Sequence, residues 1–265
     1  MTEFVHFMIS YSLVLAVSTI LYKFLCERKI SPSLNRRLIL DILCFDFVSV
    51  GVFNSLELNK ITISFQEWNI MFLFVYFIGV VVMSLCFGWN ILKLLQIRKN
   101  SKKEEVLGDR CYFHDYNDIK CFSWFSDIYL PTEYRLRSDH EIKMIISHER
   151  THIYYSHWID LLIIQVFLIF QWFNPFMWYL KKELQQVHEY EVDNRLINEA
   201  ILDKEDYQCL LLKENIVCSK PVIENFSSSA LYKRFLMMNK NDLKKNWVTR
   251  GSFIFLATIL ILMFI

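Results

Sequence analysis

Glycine and proline are scarce, five and four among 265 residues, which leaves little room for Gly- or Pro-rich linkers. Charge of one sign is not in excess either. Lys and Arg number 29 against 28 Asp and Glu, a net charge of +1, so no strong global attraction to nucleic acid and no direct nucleic-acid partner are expected. No C-x-x-C pair occurs, and the seven cysteines (Cys26, Cys44, Cys86, Cys111, Cys121, Cys209, Cys218) are scattered and odd in number. That pattern gives no disulfide framework and fits reduced thiols used as small apolar filler. What the chain has in quantity is apolar surface: 54% of residues are hydrophobic and 16% aromatic, the composition of a membrane protein.

The apolar residues form runs of bilayer length. Residues 4–26 make a first span that lacks the basic start and A-x-A site of a signal peptide and stops at Glu27-Arg28-Lys29. Residues 38–53 make a weaker second span containing Asp41 and Asp46, and residues 70–95 make the clearest one. Residues 247–265 form a fourth. Arg28, Lys29, Arg36 and Arg37 follow the first span, and Lys93, Arg98, Lys99, Lys102 and Lys103 flank the third. The positive-inside rule then places both termini outside and the region 100–246 in the cytoplasm.

Within that region, 108–131 changes character. Arg110-Cys111-Tyr112-Phe113, Lys120 to Phe125 and Asp127 to Leu130 are aromatic and β-branched runs separated by turn-like residues, and they predict short strands. Phe122, Ser123, Trp124 and Phe125 begin the candidate edge on which a substrate backbone could add as an extra strand.

The chemistry lies just downstream. Ser147-His148-Glu149-Arg150-Thr151-His152 contains H-E-x-x-H in a segment that is predicted to be helical from Asp139 to about His157, behind the capping-box pattern Ser138-Asp139-His140-Glu141. Residues four apart on a helix are about 40° apart around its axis, so His148 and His152 share a face and can offer nitrogens to one metal ion. Glu149 lies about 100° round, where it suits a general base beside the attacking water better than it suits ligation. A third protein ligand is needed. Glu183 to Asp193 predicts a second helix, its start signalled by Asn174-Pro175. Glu189 is the candidate third ligand, with His188 as the alternative, and Asp193 on the same face as a partner that orients a ligand. Asp160 is a further candidate for that supporting role.

Between the two groups, 158–180 is apolar almost throughout. As one straight helix it would reach about 35 Å, enough to cross a bilayer. Crossing would put Glu189 on the opposite side from both histidines. The segment is therefore expected to bend, either dipping in and returning with a break at Asn174-Pro175 or lying along the interface.

Ile146-Ser147-His148-Glu149-Arg150-Thr151-His152 with Asp160, Trp172-Phe173-Asn174-Pro175-Phe176-Met177-Trp178, and His188-Glu189-Tyr190-Glu191-Val192-Asp193 together resemble the membrane metalloprotease domain of the BlaR/MecR antirepressor family, which transduces β-lactam signals in bacteria. Phe226-Ser227 to Asn239 resembles the stretch before the last helix in Bacteroidetes-type members. The resemblance implies a mainly α membrane protein of the bacterial inner membrane, with four transmembrane helices and a cytoplasmic gluzincin-type zinc protease domain containing a small β-sheet. It also implies Zn2+ held by His148, His152 and Glu189, with Glu149 as base. A repressor-like protein substrate and self-cleavage near Asn225 to Lys233 follow from the same likeness. Two features depart from the family: Arg150 stands where an apolar residue is common, and no S-x-x-K nucleophile occurs anywhere in the sequence. A sensor-less or truncated member taking its signal from a separate sensor or oligomer partner is the expectation. Two alternatives stand beside it, a housekeeping quality-control or prenyl-protein type zinc protease and a non-proteolytic zinc-binding signalling scaffold.

Overall fold

The computed structural model describes residues 2–27, 29–55, 68–116, 119–217 and 224–239. The expected fourth span, 247–265, lies outside them. The fold is mainly helical with one small sheet, and it divides into two compact units. One is drawn from Met1–Trp89 and Leu161–Gln185, the other from Asn90–Asp160 and Gln186–Asp242.

In the first unit, α1 (Thr2–Leu25) and α2 (Pro32–Ser55) pack side by side. Tyr11, Val14 and Leu15 of α1 are buried, as are Ile39, Ile42 and Leu43 of α2. Tyr11 Oη donates to the Leu43 carbonyl at 3.4 Å. α1 over Phe4–Leu25 and α3 (Trp68–Asn100) over Met71–Asn100 are long and apolar enough to cross a bilayer. Phe72, Phe74, Phe77 and Leu85 of α3 are exposed, so this helix carries apolar residues on every side. α2 contains the expected second span as helix, but with Arg36, Arg37, Asp41 and Asp46 along it, it does not reach the hydropathy of the other two. Asp46 is buried and Asp41 exposed.

The second unit is built on a four-stranded sheet of order β1-β2-β4-β3: β1 Lys102–Val106, β2 Asp109–His114, β3 Phe122–Trp124 and β4 Asp127–Pro131. β2 and β4 run parallel; the outer pairs are antiparallel. β1 is an addition to the expected strands. Its Lys-Lys-Glu-Glu-Val sequence has no apolar alternation and reads as a basic flank, yet pairing with β2 through the left-handed Leu107-Gly108 turn extends it. A charged outer strand also discourages pairing with other chains. Arg150 gains a role here: its guanidinium bonds Asp109 and the Leu107 carbonyl, tying the motif helix to this turn.

Period-2 alternation gives the sheet two faces. Cys111, Phe113, Ile128 and Leu130 join Met144, Ile145 and Ile146 of α4 (Asp139–Tyr154), Val192 and Leu196 of α6 (Pro175–Asn198), and Tyr207, Leu210 and Leu211 of α7 (Lys204–Val217) in one core. Leu231, Phe235 and Met238 of α8 (Glu224–Met238) pack against it. α8 begins within a stretch that reads as loose up to Ser229 in the sequence. On the opposite face Tyr112 and Tyr129 are buried with Ile97.

The motif helix ends earlier than its sequence suggests. α4 stops at Tyr154, Ser156 turns left-handed with φ 54°, and α5 (His157–Phe170) leaves at a bend of 57°. A second break at 171–174 precedes α6, where Asn174 Oδ1 accepts from Phe176 N at 3.0 Å as the N-cap before Pro175. Lys181 bonds Gln165, His188 bonds Asp160 and Glu191 bonds His157, so each step back along α5 is matched by a step forward along α6. The two helices form an antiparallel hairpin. The apolar segment 158–180 therefore doubles back at 171–174, where Asn174-Pro175 signalled a break, while the bend at Ser156 comes before it.

Candidate metal centre

All the residues of the site belong to the second unit. α4 is started by Ser138, whose Oγ accepts from Glu141 N at 3.3 Å. Its helical repeat puts His148 and His152 on one face, and α6 brings Glu189 opposite them. His148 Nε2 and His152 Nε2 are 3.1 Å apart; Glu189 Oε2 is 3.5 Å from the first and Oε1 is 3.4 Å from the second. These three residues are also the one group of potential metal donors among the described residues, their ligand atoms lying within 4.8 Å of one another. Zn–N and Zn–O distances of about 2.0–2.2 Å in a tetrahedron imply donor–donor edges of about 3.3–3.6 Å. The edges observed here match that size closely, and the donor set of two nitrogens and one carboxylate leaves a fourth position for water.

Each imidazole is held from behind at Nδ1. His148 Nδ1 lies 2.8 Å from Tyr207 Oη, which donates to Asp193 Oδ1 at 2.7 Å. His152 Nδ1 lies 2.8 Å from His157 Nδ1, and His157 Nε2 lies 3.1 Å from Glu191 Oε2. The hydrogen bookkeeping closes if both ligand rings carry their proton on Nδ1, leaving both Nε2 lone pairs for the metal. A second imidazole–carboxylate pair, His188 and Asp160 at 2.9 Å, stacks on His157 with centroids 4.0 Å apart and planes 10° apart. His157, Glu191, His188 and Asp160 are all buried.

Arg234 of α8 reaches the same place. Its Nη1 lies 2.9 Å from Glu189 Oε2, and its Nε and Nη2 grip Asp193 at 2.8 and 2.6 Å. Burial alone would raise the pKa of Glu189, but the Arg234 charge, and after it the two histidines, hold it well below the usual carboxylate range. Burial works against the Arg234 charge in turn, and Asp193 followed by Glu189 more than offsets it. Glu149 is buried as well. Beside it the Cys121 thiol is pushed well above its ordinary pKa, by burial and then by the Glu149 and Glu214 carboxylates.

The expected site residues thus separate into groups. His148, His152 and Glu189 come together, and Glu149 sits one residue from the first. Asp193 reaches His148 through Tyr207. Asp160 supports His157 through His188 and the ring stack, one layer further out. His188, with Nε2 on Asp160, stands behind His157 and outside the donor group. β3 is an outer strand of the sheet and lies against α4. Its side chains are less free. Phe122 stacks on Tyr129 at 4.6 Å, Ser123 is half-buried, and Trp124 and Phe125 meet Trp158 at 5.9 and 4.2 Å. Phe125 is 49% exposed at a left-handed turn position, φ 53°.

Sequence reasoning missed His157, Glu191, Tyr207 and Arg234. For Glu191 a signal existed: two residues past Glu189 on a helix is about 200° round, which aims it at whatever packs on the other side, here α5. Replacing Glu191 with Gln is expected to weaken metal binding about 10–100-fold, the usual effect of losing the hydrogen-bond partner behind a ligand. Competition with a chromophoric chelator measures it, and wild-type affinity in the variant would detach the His157 relay from the metal centre.

An H-E-x-x-H helix facing an acidic donor from a second helix is the donor layout a metallopeptidase site needs, here in a chain with apolar helices of bilayer length. Residues 122–238, from β3 to the end of α8, match the Peptidase_M56 family, described as the BlaR1 peptidase M56. The resemblance to the BlaR/MecR-type family is borne out over that segment. The family is a membrane family and implies a metallopeptidase, with zinc as its usual metal. Comparison with curated proteins finds no match.

Proposed function

We propose that this chain is a multi-pass zinc endopeptidase of the bacterial inner membrane that cleaves a cytoplasmic or juxtamembrane regulatory protein, repressor-like in kind, in response to a signal. The observation that carries the reading is the spacing of the three donors next to a buried Glu149. In the topology that goes with it, α1, α2, α3 and residues 247–265 span the bilayer, both termini are outside and the metal centre faces the cytoplasm. The basic residues after α1 and at the end of α3 support this orientation.

His148, His152 and Glu189 would hold the ion. A divalent zinc, when bound, supplies a Lewis acid that acidifies a water and polarises a carbonyl oxygen. Glu149, on the same helix turn as His148, would take the proton from the attacking water and return it to the leaving amine. The substrate segment pairs with β3 as an added strand, which holds its backbone extended beside α4. Asn225–Lys233, the region considered for self-cleavage, lies within α8. Presentation to such an edge needs an extended backbone, so self-cleavage there requires that part of α8 to unwind first.

Comparative proteomics of the native host, wild type against Glu149→Gln, tests the reading. Loss of the fragment of one regulator is expected. Loss of many membrane-protein fragments would support the housekeeping alternative. An unchanged fragment pattern with signalling intact would support the scaffold.

A further inference from the structure

We propose that Arg234 is a positioning residue for the metal ligands, so that docking of α8 sets the affinity of the site for its ion. This rests on the reading of His148, His152 and Glu189 as the donors. Arg234 comes from the last described helix, and its side chain is 16% exposed. A guanidinium carries five N–H groups in a rigid fork. Nε is used on Asp193 Oδ2, Nη2 on Asp193 Oδ1 and on Tyr207 Oη at 3.1 Å, and Nη1 on Glu189 Oε2. Four of the five are directed at groups of the metal centre, which leaves one and no fork for a substrate carboxylate.

The order of constraint follows from the geometry. The paired bonds to Asp193 fix the guanidinium plane, and a fixed plane decides where Nη1 points. It points at Glu189, one helical turn before Asp193 on α6. The Glu189 side chain is 34% exposed, so packing alone does not hold its three rotatable bonds in one setting. Arg234 does so at one oxygen and leaves the other for the ion. Tyr207 Oη has two lone pairs: one accepts from Arg234 and one from His148, while its proton goes to Asp193. Arg234 therefore restrains Glu189 directly and His148 through one hydroxyl. His152 is held separately by His157 and Glu191.

A purely charge-balancing or gluing role is the competing account, and lysine separates the two. Lysine keeps the positive charge opposite Asp193 and Glu189 but has no planar fork to orient Glu189 and Tyr207 together. The test uses the full chain purified in detergent, with zinc affinity measured by chelator competition and the visible absorption of the cobalt-loaded protein as a report on ligand geometry. Arg234→Lys is expected to weaken zinc binding about 10–100-fold and to alter the cobalt spectrum. Asp193→Asn, which loosens the grip on the guanidinium while leaving Arg234 in place, is expected to weaken binding in the same direction and stands in if the Lys variant fails to fold. Wild-type affinity with an unchanged cobalt spectrum in a folded variant would overturn the proposal and leave the three-donor site standing. Failure of the wild-type chain itself to bind zinc or cobalt would overturn the donor assignment on which the proposal rests.

Discussion

Glu149→Gln is expected to bind zinc like the wild type and to lose about 10²–10⁴-fold in turnover, the range that a positioned general base contributes. Glutamine has nearly the shape of glutamate, so the buried position on α4 keeps its packing and the two histidines keep their helical register. What it lacks is a group that can take a proton from water and hand it to a departing amine. A single-turnover cleavage assay on a substrate identified in the host, run beside a zinc titration, reads both quantities on the same preparation. Retention of more than a tenth of the activity would remove Glu149 from the role of base. Loss of the metal would instead make it part of the ion's support.

Glu189→Gln is expected to have the opposite signature: metal binding falls first, and activity falls with it. Four ligands hold structural zinc with about 10–16 kcal/mol, so one ligand's share is about 2.5–4 kcal/mol, or about two to three orders of magnitude in affinity. The variant also shows why the fold should survive. Arg234 keeps its two bonds to Asp193, so no buried charge is left without a counter-charge when the Glu189 carboxylate becomes neutral. The readout is zinc per chain after dialysis against a weak chelator. Full occupancy in Glu189→Gln would move the third ligand elsewhere. His188 is then the least suitable substitute, since its Nε2 is already on Asp160.

These expectations draw on different levels of the molecule. Helical periodicity alone puts His148 and His152 on one face and turns Glu149 aside from it, because 3.6 residues per turn is a property of any α-helix. The need for one ion to meet ligands on both sides of an apolar stretch predicts that 158–180 must bend, and Asn174-Pro175 marks one of the places. Charge flanking gives the apolar runs an expected orientation. In each case the deciding interaction is local or comes from the solvent, so it can be read along the chain.

Tertiary structure decided the rest. The left-handed turn at Ser156 that aims α5 away from α4 has no glycine to announce it. β1 exists because β2 offers it hydrogen bonds, not because Lys-Lys-Glu-Glu-Val prefers to be extended. Tyr207 and Arg234 arrive at the ligands from α7 and α8, and nothing within a few residues of either points to a metal. The sequence by itself determined the motif helix, the shared face of its two histidines and the apolar character of the chain, because periodicity and hydropathy act over a turn or a bilayer's thickness. Only the fold determined what holds those donors in place, because hydrogen bonds between helices far apart in sequence depend on a packing that no local pattern records.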